Sequence, residues 1–229
     1  MFKSINKFNH SETLFITLGD SICNLISEAN FNNKRFSWLL SGGRTPELLF
    51  KYIKNNWIDK INWELVDVFW VDERCVNIDS KDSNFGQAHR TLLQHCKGIT
   101  LYPMYKEGCF DKAASIYQNI VCSYIREFGT FDFTLLGIGE DGHFASLYRK
   151  SDFLSSAHVF VNCNQIHPHK RITMNIPLIL YSKNITVIAL GRSKGYAFKK
   201  NKGILGVLPI NSRLWVDNEF MNEYKSIGL

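Results

Sequence analysis

Short apolar runs that stop at glycine or at charge, each followed by a helix-length segment, constrain this chain more than any other feature. Residues 35–40 (RFSWLL) end at Gly42 and Gly43, 65–71 (LVDVFWV) run into Asp72, Glu73 and Arg74, and 131–137 (FDFTLLG) stop at Gly137 and Gly139. Such runs have strand length. Between them, Leu14, Leu18, Ile22, Leu25, Ile26 and Ala29 recur at helical spacing, and further helices are expected over about 46–53, 83–95 and 111–127. The last third alternates again: a strand at 171–176, a short helix, a strand at 184–191, a helix from Ser193 and a strand at 213–217. Strands alternating with helices at these lengths predict an α/β fold with a largely parallel central sheet. In such sheets ligands bind beyond the carboxyl ends of the strands. The polar, glycine-rich segments after 40, 71 and 137 sit at those ends, so three loops distant in sequence are expected to converge on one crevice.

A chain of 229 residues fits one large domain or two small ones. With no internal repeat and no Pro/Gly/Ser-rich linker, a single domain over 1–229 is the simpler expectation. Hydrophobic residues at 45% and charged residues at 21% suffice to bury a core without disulfides or metals. The formal charge of +6 favours anionic partners, either nucleic acid or a phosphorylated small molecule. The one dense basic run, Lys199, Lys200 and Lys202, reads as a solvated helix end, which argues against nucleic acid. Cys23, Cys75, Cys96, Cys109, Cys122 and Cys163 form no C-x-x-C and no paired Cys/His spacing, so neither a zinc site nor a redox motif is expected. The first residues, MFKSINKFNHSETL, lack a signal-peptide core, and no window reaches the roughly 18–20 apolar residues of a membrane span. A cytoplasmic protein with reduced thiols and no membrane partner is the resulting expectation.

Each loop offers chemistry. In 41–46 (SGGRTP), Gly42 and Gly43 let backbone approach a ligand, and the helix that follows directs free N–H groups and partial positive charge at it. Ser41, Arg44 and Thr45 add donors, an arrangement suited to phosphate although it is not a P-loop. In 71–76 (VDERCV), Arg74 offers a planar fork for phosphate, while Asp72 and Glu73 can hold Arg74 or meet sugar hydroxyls. The third loop places His143, the side chain that titrates nearest neutrality, after a G-x-G turn, with Asp141 two residues earlier to orient it. Lys170 and Arg171 open a strand, and Lys194 follows another glycine turn. His167 and His169 lack a third ligand at matching spacing, so no metal is expected there.

LSGGRTPELL, FWVDERCV followed by DSNFGQA, FDFTLLGIGEDGHFASLY, KRITMNIPLI and LGRSKG occur in the order found in 6-phosphogluconolactonases, which the chain resembles from about residue 12 to 220. The resemblance implies a Rossmann-like sandwich of the deaminase/ribose-phosphate-isomerase-like superfamily, with no cofactor. It also implies hydrolysis of 6-phospho-D-glucono-1,5-lactone to 6-phosphogluconate in the oxidative pentose phosphate pathway. The family histidine falls on His143, as the base that activates water. The phosphate-contacting positions fall on Ser41, Gly42, Gly43, Arg44 and Thr45, on Arg74, and on Arg171 and Lys194, with Asp72 beside them. The expected partner is a phosphorylated sugar lactone, and the expected state a monomer or weak homo-oligomer. The chain departs from the family at Tyr148-Arg149, where many members have Phe-Pro, at Asn77 in place of proline, and at Arg44 in place of a small residue; none removes a reacting group. Two alternatives are a glucosamine-6-phosphate deaminase-like isomerase and a sugar-phosphate-binding protein without catalysis. The first is disfavoured because residues 145–148 carry no acid, the second because His143 is present.

Overall fold

The computed structural model describes residues 2–200 and 212–226. Its centre is a seven-stranded, wholly parallel sheet in the order β1-β10-β9-β6-β2-β3-β5. These strands are β1 (Ser4–Phe8), β2 (Phe36–Leu40), β3 (Val66–Trp70), β5 (Thr100–Leu101), β6 (Phe131–Gly137), β9 (Ser182–Ala189) and β10 (Arg213–Asp217). Every residue of β2 and β3 is buried, as expected where helices cover both faces of a parallel sheet. The long helices α1 (Ser11–Phe31), α2 (Arg44–Trp57) and α4 (Phe110–Phe128) join successive strands. Trp38, Trp70, Tyr117, Phe50, Phe69 and Phe131 are among the largest fully buried side chains, so the core sits around the middle of the sheet.

Several elements depart from the sequence reading. Residues 72–74, expected to be loop, form strand β4 (Asp72–Arg74), which pairs antiparallel with β8 (Arg171–Met174). β8 in turn pairs with β7 (Val159–Asn162), giving a second sheet of three strands, β4-β8-β7. The expected strand at 171–176 therefore exists but lies outside the parallel sheet. Its strand register puts Arg74 opposite Arg171 and Asp72 opposite Thr173. Side chains alternate along a strand, so Asp72, Arg74, Arg171 and Thr173 share one face. α3 (Asn84–Thr91) is followed by a 3₁₀ turn (Leu93–His95), α5 (Ile176–Leu180) is the short helix, and α6 (Arg192–Lys200) and α7 (Asn218–Lys225) complete the described helices. Of the basic run, Lys199 and Lys200 close α6, while Lys202 is outside the described residues. Among the described residues, no helix is long and apolar enough to cross a membrane.

The order of the sheet locates the crevice. From β2 the chain moves outward through β3 to β5, whereas from β6 it moves the opposite way through β9 to β10. The reversal falls between β2 and β6, and the carboxyl ends flanking such a switch point are where open α/β sheets bind ligands.

Candidate active site at the β2–β6 switch point

The end of β2 and the end of β6 meet: a Cβ added to Gly137 would sit 4.0 Å from Ser41 Oγ. Gly42 is required by sterics, because a Cβ there would overlap the Asn84 side chain. Gly43 adopts φ of 110°, a conformation that favours glycine, and caps α2. Its N–H is engaged by Gln87 Oε1 at 3.1 Å, so this amide is not an open phosphate donor as the sequence suggested. Thr45 is half-buried in the first turn of α2. Arg44 begins α2, and its side chain lies outside what the structure describes.

The β4–α3 corner explains why three consecutive charged residues form a strand. Glu73 is buried and accepts the backbone N–H groups of Arg74, Asn84 and Phe85, each at 2.7 Å, and the Ser83 hydroxyl at 3.2 Å. It thus satisfies the open N-terminus of α3, where a negative charge is favoured. Burial nevertheless dominates and pushes its carboxyl up to about 7. Asp72, also buried, accepts Ser146 Oγ at 2.6 Å and Asn84 Nδ2 at 3.4 Å, and lies 3.7 Å from Arg171 Nη1. Neither carboxylate serves as the clamp on the Arg74 guanidinium that the sequence allowed. That group donates from Nη1 to the Asp82 carbonyl at 2.7 Å. Arg74 Nε and Arg171 Nε are both buried and, among the described residues, have no hydrogen-bond partner.

The loop after β6 is a tight sequence of turns. Gly139 N–H donates to the His143 carbonyl at 2.7 Å, and Gly142 N–H to the Gly139 carbonyl at 3.1 Å, with Gly142 at φ of 88°. A side chain on Gly139 would collide with the His143 ring and the Asp141 carboxylate. Ala145 takes φ of 50° so that the chain can turn between Phe144 and Leu147. The turn buries Ser146, whose hydroxyl reaches Asp72 and whose N–H reaches Thr173 Oγ1 at 3.2 Å. This loop is thereby tied to the small sheet.

Asp141 Oδ1 contacts His143 Nδ1 and accepts the His143 N–H at 3.4 Å. A carboxylate at Nδ1 fixes the proton there and leaves Nε2 with a lone pair. Burial raises the Asp141 carboxyl, but the hydrogen bond and charge of His143 outweigh it and hold it well below the usual carboxylate range. The imidazole is enclosed by aromatic rings, Tyr148 at 4.9 Å and His167 at 5.1 Å between centroids, and these two stack on each other at 5.2 Å. Lys194 is half-buried in the first turn of α6, reached from the end of β9, the strand beside β6.

The structure links Gly42, through Asn84, to Asp72 and from there to Ser146 and Arg171, sets Arg74 opposite Arg171 in register, and carries the Asp141–His143 pair in the same loop as Ser146, after the β6 end that meets Ser41. It also brings in residues the sequence reading did not single out: Asn84, Ser146, Tyr148, Thr173 and, from the pair considered for metal, His167. His169 is separate and pairs with Asp82 at 3.2 Å. Asn84 lies in the quoted DSNFGQA segment, the only sequence signal that pointed towards it.

Residues 9–205 match the model of the glucosamine-6-phosphate isomerases/6-phosphogluconolactonase family, and the chain belongs to that family. It is 31% identical to a 6-phosphogluconolactonase from Synechocystis over 165 residues, covering 69% of this chain and 68% of that protein. Its fold is similar to the 6-phosphogluconolactonase of Trypanosoma brucei, with a TM-score of 0.81, 22% identity, and 96% and 97% of the two chains covered. A monomeric glucosamine-6-phosphate deaminase of the NagB superfamily has a TM-score of 0.79 at 20% identity over 96% of this chain and 99% of that one, a likeness of fold alone.

Proposed function

We propose that this chain, acting as one domain, is a lactone hydrolase that converts 6-phospho-D-glucono-1,5-lactone to 6-phosphogluconate. The observation that carries the reading is the Asp141–His143 pair at the switch point, beside two arginines whose Nε donors lack partners among the described residues. In the proposed reaction His143 Nε2 takes a proton from water as its oxygen bonds to the lactone carbonyl carbon. The bond from that carbon to the ring oxygen then breaks, and the ring oxygen recovers the proton from His143. Asp141 stabilises the imidazolium between the two steps and fixes its tautomer. A positioned base contributes roughly 10²–10⁴-fold, enough for an ester that already opens slowly in water.

Arg74 and Arg171 hold the phosphate, assisted by the N-terminus of α2 at Ser41, Gly42, Arg44 and Thr45 and by the charge of Lys194, while Gly43 shapes the turn with its N–H on Gln87. Holding the remote phosphate fixes the lactone against the base, so binding energy lowers the barrier at the reacting carbon. Asp72 acts indirectly, by placing Arg171 and, through Ser146, the histidine loop. The isomerase alternative is weakened because residues 145–148 (ASLY) carry no carboxylate near His143. The experiment is to supply the lactone from glucose-6-phosphate oxidation and, separately, to supply glucosamine-6-phosphate. Accelerated lactone opening with no ammonia release is expected. Ammonia release without lactone opening would reverse the assignment.

A further inference from the structure

We propose that Asp141, His143 and His167 form a binding site for a divalent transition ion of the zinc class, and that occupancy of this site switches off the base. The ligand-capable atoms of the three residues lie within 4.8 Å of one another, although they come from two loops more than twenty positions apart. Two imidazoles and one carboxylate are a borderline nitrogen/oxygen set suited to zinc rather than magnesium. Metal–ligand bonds of about 2.0–2.2 Å in a tetrahedron put ligand atoms about 3.4 Å apart, so small side-chain rotations would close the cluster. His167 Nε2 is already aimed into it: the atom is buried, has no hydrogen-bond partner among the described residues and stands 3.6 Å from Asp141 Oδ2, too far for a hydrogen bond. Among the described residues, Arg171 is a cation that acts on His167 and opposes an incoming ion, and the buried Asp72 partly neutralises it.

The inhibitory consequence follows from tautomer chemistry and rests on the lactonase reading. The nitrogen of His143 that faces Asp141 is Nδ1. A metal bound there needs its lone pair, so the single proton of the neutral ring moves to Nε2 by exchange with solvent. Nε2 is then a donor and cannot accept a proton from water. The ion thus removes the base while leaving the phosphate-holding arginines untouched.

The test uses metal-free wild-type protein, His167→Gln and, as a control, His169→Gln. Binding is read directly from the visible absorption of Co²⁺ and from zinc retained on dialysis, measurements that do not depend on any activity. Wild type and His169→Gln should each hold one ion, whereas His167→Gln should bind at least about tenfold more weakly, the scale typical of losing a supporting group at a metal site. On lactone, micromolar Zn²⁺ should abolish turnover of wild type and of His169→Gln reversibly on chelation, whereas the turnover that His167→Gln retains, measured against its own metal-free rate, should lose that sensitivity. Equal Co²⁺ spectra for wild type and His167→Gln, or no ion retained by wild type, would overturn the site. Zinc that binds but leaves turnover unchanged or raises it would overturn the loss of the base. Absence of lactonase activity in every metal-free protein would count against the lactonase reading alone.

Discussion

In the seven-stranded sheet, β3 is Val-Asp-Val-Phe-Trp and all five residues are buried; two positions further on, β4 is Asp-Glu-Arg, and it too is largely buried. The first strand is held by apolar contact, including the stack of Phe69 on Tyr102, just after β5, at 4.3 Å and its edge contact with Tyr124 of α4 at 4.8 Å. The second is held by polar partners that come from elsewhere in the chain: the N-terminus of α3 around Glu73, and Ser146, Asn84 and Arg171 around Asp72. A buried carboxylate is tolerated only when it is hydrogen-bonded or paired. Charge was therefore concentrated where the backbone could satisfy it, at the mouth of the crevice, and the large sheet was left to supply rigidity. Even the one buried acid of β3, Asp67, sits near the amino end of the strand, away from the site, where Arg35 Nε donates to it at 2.6 Å and Tyr124 at 3.1 Å.

This division can be broken by substitution on either side. Leu39→Ala, in the fully buried β2, should lower unfolding free energy by about 2–5 kcal/mol, the range for large-to-small core changes, while the folded fraction keeps its kcat/KM. Chemical denaturation alongside kinetics checks this, and a matching loss of kcat/KM would blur the distinction between scaffold and site. Arg74→Ala should do the converse. Losing one charge-assisted contact, about 1.5–3 kcal/mol, should raise KM for the phosphorylated lactone by about 10–100-fold. The unphosphorylated lactone should not register the change; equal losses on both substrates would show that Arg74 shapes the loop instead.

Smaller effects sharpen the picture. Ser83 caps α3 by accepting the Gly86 N–H at 2.9 Å, so Ser83→Ala should cost about 0.5–2 kcal/mol. Its thermal midpoint should fall less than that of Leu39→Ala. Glu73 gives a pH signature: its folded carboxyl lies near 7, above the unfolded value near 4.5, so the folded state binds the extra proton between these limits. Its contribution to stability is present at acid pH and fades as pH rises from about 4.5 through 7. Denaturation of wild type and Glu73→Gln across that interval should show the Glu73-dependent slope vanish in the variant.

The same contrast governs what could be read from sequence. Residues 131–137 and 213–217 were legible to the residue because a strand buried on both faces must be apolar. β1, an edge strand with alternating half-buried and exposed positions, carried no such signature. β4 was mistaken for a loop because nothing local distinguishes a solvated Asp-Glu-Arg from one buried by partners eight to a hundred positions away. The site split in the same way. His143 and Asp141 were legible because glycines that permit close approach surround them. No metal was expected at His167 and His169 because ligand spacing was sought within one segment. The fold instead turns His167 towards Asp141 and sends His169 to Asp82.

The central claim is that His143, held by Asp141, activates water on a lactone whose phosphate is fixed by the small sheet. The most direct test is lactone hydrolysis by wild type and His143→Ala, with the spontaneous rate subtracted and substrate generated in place. The variant should lose about 10²–10⁴-fold in kcat with KM little changed. Turnover close to wild type in His143→Ala would contradict the account and leave the crevice as a binding site whose chemistry lies elsewhere.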